Sequence, residues 1–226
     1  MKYDSIVEGV FVSRPNRFIA NVEINGELHT VHVKNTGRCR ELLLPGAKVY
    51  LEASDNPARK TKYDLVTVIK NGNLINMDSM APNRIFHEWA RSSGFFGKNI
   101  KITPEYKYKN SRFDFYIRAE DRKILVEVKG VTLEQEGVLM FPDAPTERGV
   151  KHLRELIDAR ENGFESFVFF IAQMKDCKYL VPNRTTHPEF AETLSEAFNK
   201  GVKVNCLNCN VSVGEVTADG FVNVIL

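Results

Sequence analysis

Short stretches in which apolar and polar residues alternate fill the first third of the chain. Such alternation predicts β-strands with one buried face. The strand candidates are residues 6–12, 18–24, 30–33, 48–52, 64–70 and 74–76. Asn25-Gly26 and Asn71-Gly72 are typical of tight hairpin turns, and a helix-like segment at residues 39–44 ends at Pro45-Gly46. Several short strands separated by turns favour a small Greek-key barrel.

The pattern changes after Met80-Ala81-Pro82, where helix-like and strand-like segments begin to alternate. Helices are predicted at residues 83–92, 146–161 and 188–200. Strands are predicted near residues 103–108, 112–118, 124–129, 166–172 and 202–207, with a small hairpin from 211–213 and 221–225. Residues 166–172 are almost continuously apolar, which is typical of a buried strand in a parallel sheet. We therefore predict an α+β protein of two domains, a β-barrel at residues 1–80 and an α/β domain at residues 81–226.

Two strands of the second domain are joined by a linker short enough to fix their pairing. A turn centred on Glu120-Asp121 makes residues whose numbers sum to 241 face each other. On one face every pair is then apolar. These pairs are Phe113 with Val128, Phe115 with Val126, and Ile117 with Ile124.

The opposite face of this hairpin carries charge. Asp114 is expected opposite Glu127, with Cβ atoms roughly 5 Å apart, and Lys129 follows on the same face. Carboxylates this close repel unless a cation lies between them, and hard cations such as Mg²⁺ prefer carboxylate oxygens. An ordinary surface ion pair is the alternative reading. The apolar run at residues 124–126 argues against it, because a central strand seldom buries Glu or Lys without a purpose.

These residues carry two resemblances to known families. The set Asp114, Glu127 and Lys129 is similar to the core of the PD-(D/E)xK nuclease superfamily, although Phe113 replaces the proline that often precedes the aspartate. The sugar fermentation stimulation protein A family is closer and covers essentially the whole chain. Its matching strings include Val7-Glu-Gly-Val, Ser13-Arg-Pro-Asn-Arg-Phe, His32-Val-Lys-Asn-Thr-Gly-Arg-Cys-Arg-Glu-Leu, Asn76-Met-Asp-Ser, Val126-Glu-Val-Lys-Gly-Val-Thr and Phe141-Pro-Asp-Ala-Pro-Thr-Glu-Arg-Gly-Val-Lys-His-Leu.

The resemblance implies a DNA-binding, nuclease-like protein with an N-terminal OB-type barrel and a C-terminal restriction-endonuclease-like domain. Asp114, Glu127 and Lys129 would be its catalytic residues, with Asp114 and Glu127 holding Mg²⁺ or Mn²⁺. Many members of the superfamily place an acidic residue on the helix before the first core strand. Glu88 has that position, and it either completes the metal site or is a solvated helix residue.

The helix after Lys129 carries a candidate nucleic-acid contact. Arg148, Lys151 and His152 follow i, i+3, i+4 spacing, which predicts a basic stripe opposite the apolar face of that helix. Thr146 or Asp143 is placed to cap its first turn. The stripe is either a phosphate contact, as the resemblance favours, or a solvated charged face.

The barrel carries the second candidate nucleic-acid contact. Its basic residues are Arg14, Arg17, Lys34, Arg38 and Arg40, with Phe18 available for base stacking. Arginines hold phosphate in a bidentate manner. Alternatively, the segment Asn35-Thr-Gly is simply a turn, and the arginines tie the two domains together.

Amino-acid composition excludes fewer classes of function than these motifs do. The 226 residues include 31 basic and 29 acidic residues, so any nucleic-acid surface must be a local patch. Cys206-x-x-Cys209 alone is a weak zinc or redox signal, and reduced thiols are the favoured reading. No apolar run approaches the roughly 18 residues of a membrane span. The N-terminal residues lack an apolar signal region, so we expect a cytoplasmic protein.

Two functions follow as expectations. The first is a Mg²⁺- or Mn²⁺-dependent nuclease acting on DNA without strong sequence preference. The second is a non-catalytic DNA-binding regulator or cofactor that affects genes of sugar (maltose) metabolism. A hydrolase of small phosphates is a third possibility, but the sequence shows no motif for reading a base or a sugar. The oligomeric state stays open.

Overall fold

A computed structural model describes residues 1–35 and 37–226, so Thr36, within the expected turn, lies outside the described residues. Six strands come first. They are β1 (Ile6–Asn16), β2 (Ile19–Ile24), β3 (Glu27–Val33), β4 (Lys48–Ala53), β5 (Tyr63–Lys70) and β6 (Asn73–Asn76). They form one sheet in the order β3-β2-β1-β4-β5-β6, and β3 also pairs with β5. That extra pairing closes the sheet into a barrel, which confirms the predicted OB-type domain.

The helix expected at residues 39–44 is wrong. Leu42 and Leu43 both donate their backbone N–H to the carbonyl of Cys39, and the segment stops there as a turn. Cys39 itself has a positive φ of 44° and is buried, so the chain enters this segment in a conformation that no α-helix continues.

The second domain contains three helices and nine strands among the described residues. They are α1 (Ala81–Ser92), β7 (Ile100–Tyr108), β8 (Ser111–Ala119), β9 (Arg122–Val131), β10 (Glu134–Gln135), β11 (Val138–Phe141), α2 (Glu147–Glu161), β12 (Glu165–Ala172), β13 (Tyr179–Pro182), α3 (Pro188–Asn199), β14 (Lys203–Val211) and β15 (Val216–Val224). The strands form one sheet in the order β10-β11-β13-β15-β14-β12-β9-β8-β7. The sequence pattern did not predict β10, β11 or β13, which have only two to four residues each.

Helices cover both faces of this sheet. Alternate residues of β12 lie in two separate cores: the ring of Phe169 is 4.9 Å from Phe86 of α1, whereas Phe170 and Phe190 of α3 both contact Phe141 on the other side. Strand β12 pairs in parallel with β9 and with β14, as its apolar run predicted. Strand β9 is therefore interior, with neighbours on both edges.

The predicted register of the β8–β9 hairpin is confirmed from Ala119 and Arg122 as far as Phe115 and Val126. The expectation that Phe113 shares a face with Phe115 is wrong. The ring centroid of Phe113 lies 5.6 Å from that of His152 on α2, whereas Phe115 lies 5.1 Å from Phe86 on α1. The alternation breaks between them, so the intervening residue Asp114 stands where the two strands stop pairing.

Buried polar side chains join the barrel to the second domain. Asn76 donates to the hydroxyl of Tyr3 and to the carbonyl of Val66, and it accepts from the Nε2 amide of Gln173 at 2.8 Å. The chain start itself packs on the second domain, where Lys2 forms a bridge with Glu215. Residues 1–3 thus lie against the second domain although they precede the barrel.

A charged cluster at the start of β5 ties the preceding loop to the barrel. Asp64 is bonded to both terminal guanidinium nitrogens of Arg59 and to Nδ1 of His32, and the Lys34 ammonium lies 3.5 Å away. Burial by itself would raise the pKa of Asp64, but the hydrogen bonds from Arg59 and His32 and the charge of Lys34 lower that pKa to about 2. The ionised carboxylate is therefore preferentially stabilised in the fold.

We expect Asp64→Asn to lower the free energy of unfolding at pH 7 by about 2 kcal/mol. Because folding lowers this pKa, the stabilisation is complete above the ordinary aspartate pKa of about 4 and is lost as the pH falls toward 2. Urea unfolding of wild type and variant at a series of pH values measures it. Asp55→Asn, at an exposed position, is the matched control and should change little. Equal losses at pH 7 and pH 3 would contradict the linkage.

Candidate active site

Asp114 lies where the backbone pairing of β8 and β9 ends. Its Oδ2 accepts the backbone N–H of Val128 at 2.7 Å, and its Oδ1 accepts the side-chain amide of Asn83 at 2.8 Å. Burial raises the pKa of Asp114, and the negative charge of Glu127 raises it further. The two carboxylates are therefore neighbours, as the hairpin register predicted, and the charge of Glu127 disfavours ionisation of Asp114.

Glu127 is the most confined charged group of the site, with 3 % of the residue exposed. Its Oε1 is bonded to Lys129 Nζ and to His152 Nδ1, both at 2.5 Å. Its Oε2 is buried and has no hydrogen-bond partner among the described residues. Burial would raise the pKa of Glu127, but the charge of Lys129 and the contact with His152 outweigh it, and that pKa is lowered.

His152 was predicted to contact nucleic acid, but the structure gives its ring a partner inside the protein. The residue lies three positions after Gly149 and four before Leu156, within the buried face of α2 rather than opposite it. Its Nε2 lies 3.4 Å from the Nε–H of Arg148. Arginine only donates, so Nε2 is the acceptor and Nδ1 carries the proton that is donated to Glu127. His152 thus holds a carboxylate in place.

Lys129 lies at the mouth of this cluster. Its ammonium donates to Glu127, and 19 % of its side chain is exposed. An ammonium has three protons, so the group can donate to Glu127 and still reach a molecule arriving from solvent. The structure therefore brings together all three predicted catalytic residues, Asp114, Glu127 and Lys129.

Asn83 is the member of the site that sequence reasoning missed. It lies in the first turn of α1 directly after the buried Pro82, and its amide fixes Asp114. Nothing in the local spacing connects it to Asp114, which lies 31 positions later. The available signal was a lone amide among the apolar residues Pro82, Ile85 and Phe86.

Glu88 is not brought to the cluster. Its carboxylate accepts from the amino group of Met1 at 2.6 Å, and 54 % of its side chain is exposed. It lies five residues after Asn83, which places it roughly 140° away around the helix. Among the described residues, no hydrogen bond joins it to Asp114 or Glu127, so its predicted metal role has no geometric support.

Arg148 and Lys151 share a groove beside the site, as predicted. Arg112 lines the same groove and was not singled out in the sequence. The Lys151 ammonium donates to the carbonyl of Asn110, which holds it over the β7–β8 turn. Thr146, rather than Asp143, caps α2, because its Oγ1 accepts the backbone N–H of Gly149 at 3.1 Å. The groove therefore lies beside the capped end of α2.

Two of the predicted barrel contacts have partners within the fold. Arg14 donates to four backbone carbonyls around the barrel loop, those of Arg17, Asn35, Gly37 and Arg38. The ammonium of Lys34 lies among the carboxylates of Glu52, Asp64 and Asp78. Both cations therefore have a structural role in the barrel.

Arg17, Arg38 and Arg40 remain as a surface group. All three are exposed and line one groove, whose far wall includes Ala144 of the second domain. The Arg17 guanidinium lies 5.5 Å from the ring centroid of Phe18, which is itself 51 % exposed. Exposed arginines beside an exposed aromatic ring are typical of surfaces that bind single strands.

The weak zinc signal at the cysteines finds no support. All four cysteines are free, and burial raises the pKa values of Cys206 and Cys209. Among the described residues, the one group of three close metal-type ligands is Glu147, His187 and Glu189. There, Nδ1 of His187 accepts the backbone N–H of Thr146. In the neutral ring the other nitrogen then carries the proton and faces Glu147 as a donor, not as a ligand.

Comparisons with known proteins agree with this architecture. Residues 12–77 match the family described as the SfsA N-terminal OB domain, and residues 80–215 match the sugar fermentation stimulation protein RE domain. The chain belongs to the sugar fermentation stimulation protein family. Family members from Desulfitobacterium hafniense (strain DCB-2) and Ruminiclostridium cellulolyticum are 57 % and 51 % identical over 226 residues. These alignments cover 100 % of this chain and 99 % and 100 % of the relatives.

A solved structure of the same family is similar over the whole fold. The structure of Pyrococcus furiosus SfsA in complex with Ca²⁺ superposes with a TM-score of 0.92 at 27 % identity. It covers 100 % of this chain and 98 % of that one. The family match and this superposition confirm the predicted order of an OB barrel followed by an α/β domain. Among the described residues, no helix is both long and apolar enough to cross a bilayer.

We expect His152→Leu to lower the free energy of unfolding by about 1–3 kcal/mol, because the buried Glu127 carboxylate loses a hydrogen bond. Urea unfolding measures the change. The same substitution in a Glu127→Gln background is the control and should cost less, since a buried amide without that donor is cheaper than a buried charge. Equal costs in both backgrounds would mean that His152 acts only by filling space.

Proposed function

We propose that this chain is a DNA-binding protein whose second domain hydrolyses phosphodiester bonds with Mg²⁺ or Mn²⁺. The observation that carries this proposal is the buried Oε2 of Glu127, which has no partner among the described residues and lies beside a second carboxylate. A buried anionic oxygen without a partner is costly, and a cation satisfies it.

Asp114 and Glu127 would hold the metal ion. Their donor atoms are carboxylate oxygens, which hard divalent cations prefer. The Pyrococcus furiosus relative was solved with Ca²⁺, another hard cation, and this supports the assignment. When bound, a divalent cation polarises a phosphoryl oxygen and lowers the pKa of water. The same set of ligands is compatible with Mg²⁺ and with Mn²⁺.

The surrounding side chains hold these carboxylates in one arrangement. Asn83 fixes one oxygen of Asp114, and the backbone N–H of Val128 fixes the other. His152 and Lys129 both bind Oε1 of Glu127, which directs Oε2 away from them. Because these groups are already oriented, binding requires little reorganisation of the protein.

Lys129 would act on the phosphate and on the attacking water. Beyond the proton donated to Glu127, its ammonium can donate to a phosphate oxygen or orient the attacking water. Positive charge at this position stabilises the negative charge that builds on phosphorus oxygens in the transition state. Arg112, Arg148 and Lys151 in the adjacent groove would bind neighbouring phosphates of the strand.

The barrel would capture nucleic acid through Arg17, Arg38 and Arg40. A non-catalytic DNA-binding regulator would use the same surface, and the family's name, which refers to sugar fermentation, is compatible with that alternative. The buried pair of carboxylates favours the nuclease, because a protein that only binds DNA gains nothing from two anions facing a phosphate groove.

We expect Mn²⁺ to bind in isothermal titration calorimetry and to lose binding in Asp114→Asn and in Glu127→Gln. Both variants should cleave neither single-stranded nor double-stranded DNA. Glu147→Gln is the control, because this carboxylate lies on α2 outside the cluster and is largely exposed. Unchanged Mn²⁺ binding in the double variant Asp114→Asn/Glu127→Gln would refute the site.

Lys129→Ala separates the two functions in the same assay. A nuclease loses cleavage by at least two orders of magnitude, as is typical for a lost catalytic group, while DNA affinity stays within a few-fold. If wild type with Mg²⁺ or Mn²⁺ cleaves no DNA or RNA yet binds it, the regulator reading stands instead.

We expect the double variant Arg38→Ser/Arg40→Ser to weaken DNA binding several-fold at low salt. The slope of log affinity against log salt concentration should fall by roughly one to two units, because two phosphate contacts are lost. Lys60→Ser/Lys62→Ser removes two exposed cations from another barrel loop and is the matched control. Equal weakening by both pairs would show general charge attraction rather than a defined groove.

A further inference from the structure

A cleft of about 340 Å³ opens between the two domains, and residues adjacent in sequence to the candidate active site line it. Its lining includes Gly130, which follows Lys129, and Pro82, which precedes Asn83. Thr146, the capping residue of α2, lines it as well. We infer that this cleft receives one unpaired nucleobase of a single strand whose phosphate lies at Asp114 and Glu127. The inference rests on the proposed function and specifies its substrate as single-stranded.

The floor of the cleft is polar and rigid. Gln173 is buried, and its Nε2 donates both protons, to Asn76 Oδ1 at 2.8 Å and to the carbonyl of Asp78 at 2.9 Å. Its Oε1 therefore remains an acceptor in a fixed orientation. Gly130 makes room for it, because a Cβ there would lie 2.5 Å from this oxygen.

The walls of the cleft combine apolar surface with further polar groups. Met140, Phe141 and Pro142 provide an apolar side against which a flat ring can lie. Thr132 and Asp143 add a hydroxyl and a carboxylate. A flat apolar wall with a few fixed hydrogen-bonding groups is the environment in which a base that has left its stack is bound.

The cleft is continuous with the arginine groove of the barrel. Gly37 and Ala144 line both of them, so the two form one path along the surface. A Cβ on Gly37 would lie 2.7 Å from Asp143 Oδ2, and the glycine thus lets the barrel loop approach the second domain closely. A strand whose phosphates lie on Arg17, Arg38 and Arg40 would lead into the cleft and then to the carboxylates.

This path accepts a single strand rather than a duplex. Within a duplex each base is stacked and its Watson–Crick edge is paired, so its edge cannot reach a recessed acceptor such as Gln173 Oε1. The barrel and the second domain wall the cleft from both sides. A base must therefore be unpaired before it enters.

The test fills the cleft without removing a hydrogen bond. Fluorescence anisotropy in EDTA measures the affinity of a labelled 12-nucleotide DNA strand and of an equally long strand of abasic nucleotides. We expect Leu133→Trp, at a position that lines the cleft but not the arginine groove, to weaken binding of the intact strand roughly tenfold, since one base contact is lost, and to leave the abasic strand unchanged. Ala58→Trp, on an exposed barrel loop, is the matched control and should change neither.

The outcomes separate this inference from the proposed function. If Leu133→Trp binds the intact strand as tightly as wild type, or weakens both strands equally, the cleft inference is overturned while DNA binding stands. If wild type binds neither strand, the DNA-binding proposal fails as well. Met140→Trp, which fills the same cleft from β11, replaces Leu133→Trp if that variant does not fold. The ribonucleotide form of the strand, measured in parallel, identifies which nucleic acid supplies the base.

Discussion

A buried carboxylate organises the second domain. Glu127 lies on an interior strand, where it is held by a lysine of the same strand and a histidine of α2. An ionised group in such a place is stable only if charge and hydrogen bonds replace the lost hydration. This requirement explains the positions of two neighbouring side chains. His152 is buried, despite its helical spacing with basic residues, because it donates to Glu127. Lys129 turns back along its own strand for the same reason.

Asp114 satisfies a backbone group in the same region. The strands β8 and β9 separate beyond Phe115, which would leave the N–H of Val128 without its ladder partner. The side chain of Asp114 accepts that N–H in place of a backbone carbonyl. The carboxylate is therefore both a replacement for a missing ladder bond and an anion beside Glu127, and the end of the pairing is what exposes it to an incoming group.

The sequence predicted those features that depend on neighbouring residues. The two-residue turn and the alternation of β8 and β9 were enough to bring Asp114 and Glu127 together, and the apolar run of β12 was enough for a parallel strand. What failed depends on partners distant in the chain. Arg14 and Lys34 looked available because their carbonyl and carboxylate partners are spread over the barrel. Asn83 carried no visible link to Asp114, and Phe113 changed face only because the pairing stopped beside it.

The hydrogen bonds that join Tyr3, Asn76 and Gln173 constrain the order in which the chain can fold during synthesis. These residues belong to the first, middle and late parts of the sequence, and Lys2 finds its partner only at Glu215. Ribosomal synthesis proceeds from the N-terminus, so residues 1–3 are exposed long before the surface that receives them exists. The barrel strands can pair early, but the polar joint beneath them stays open until β12 is in place. Completion of the native state therefore waits for strands that are synthesised late, and contacts of such high sequence separation favour slow folding.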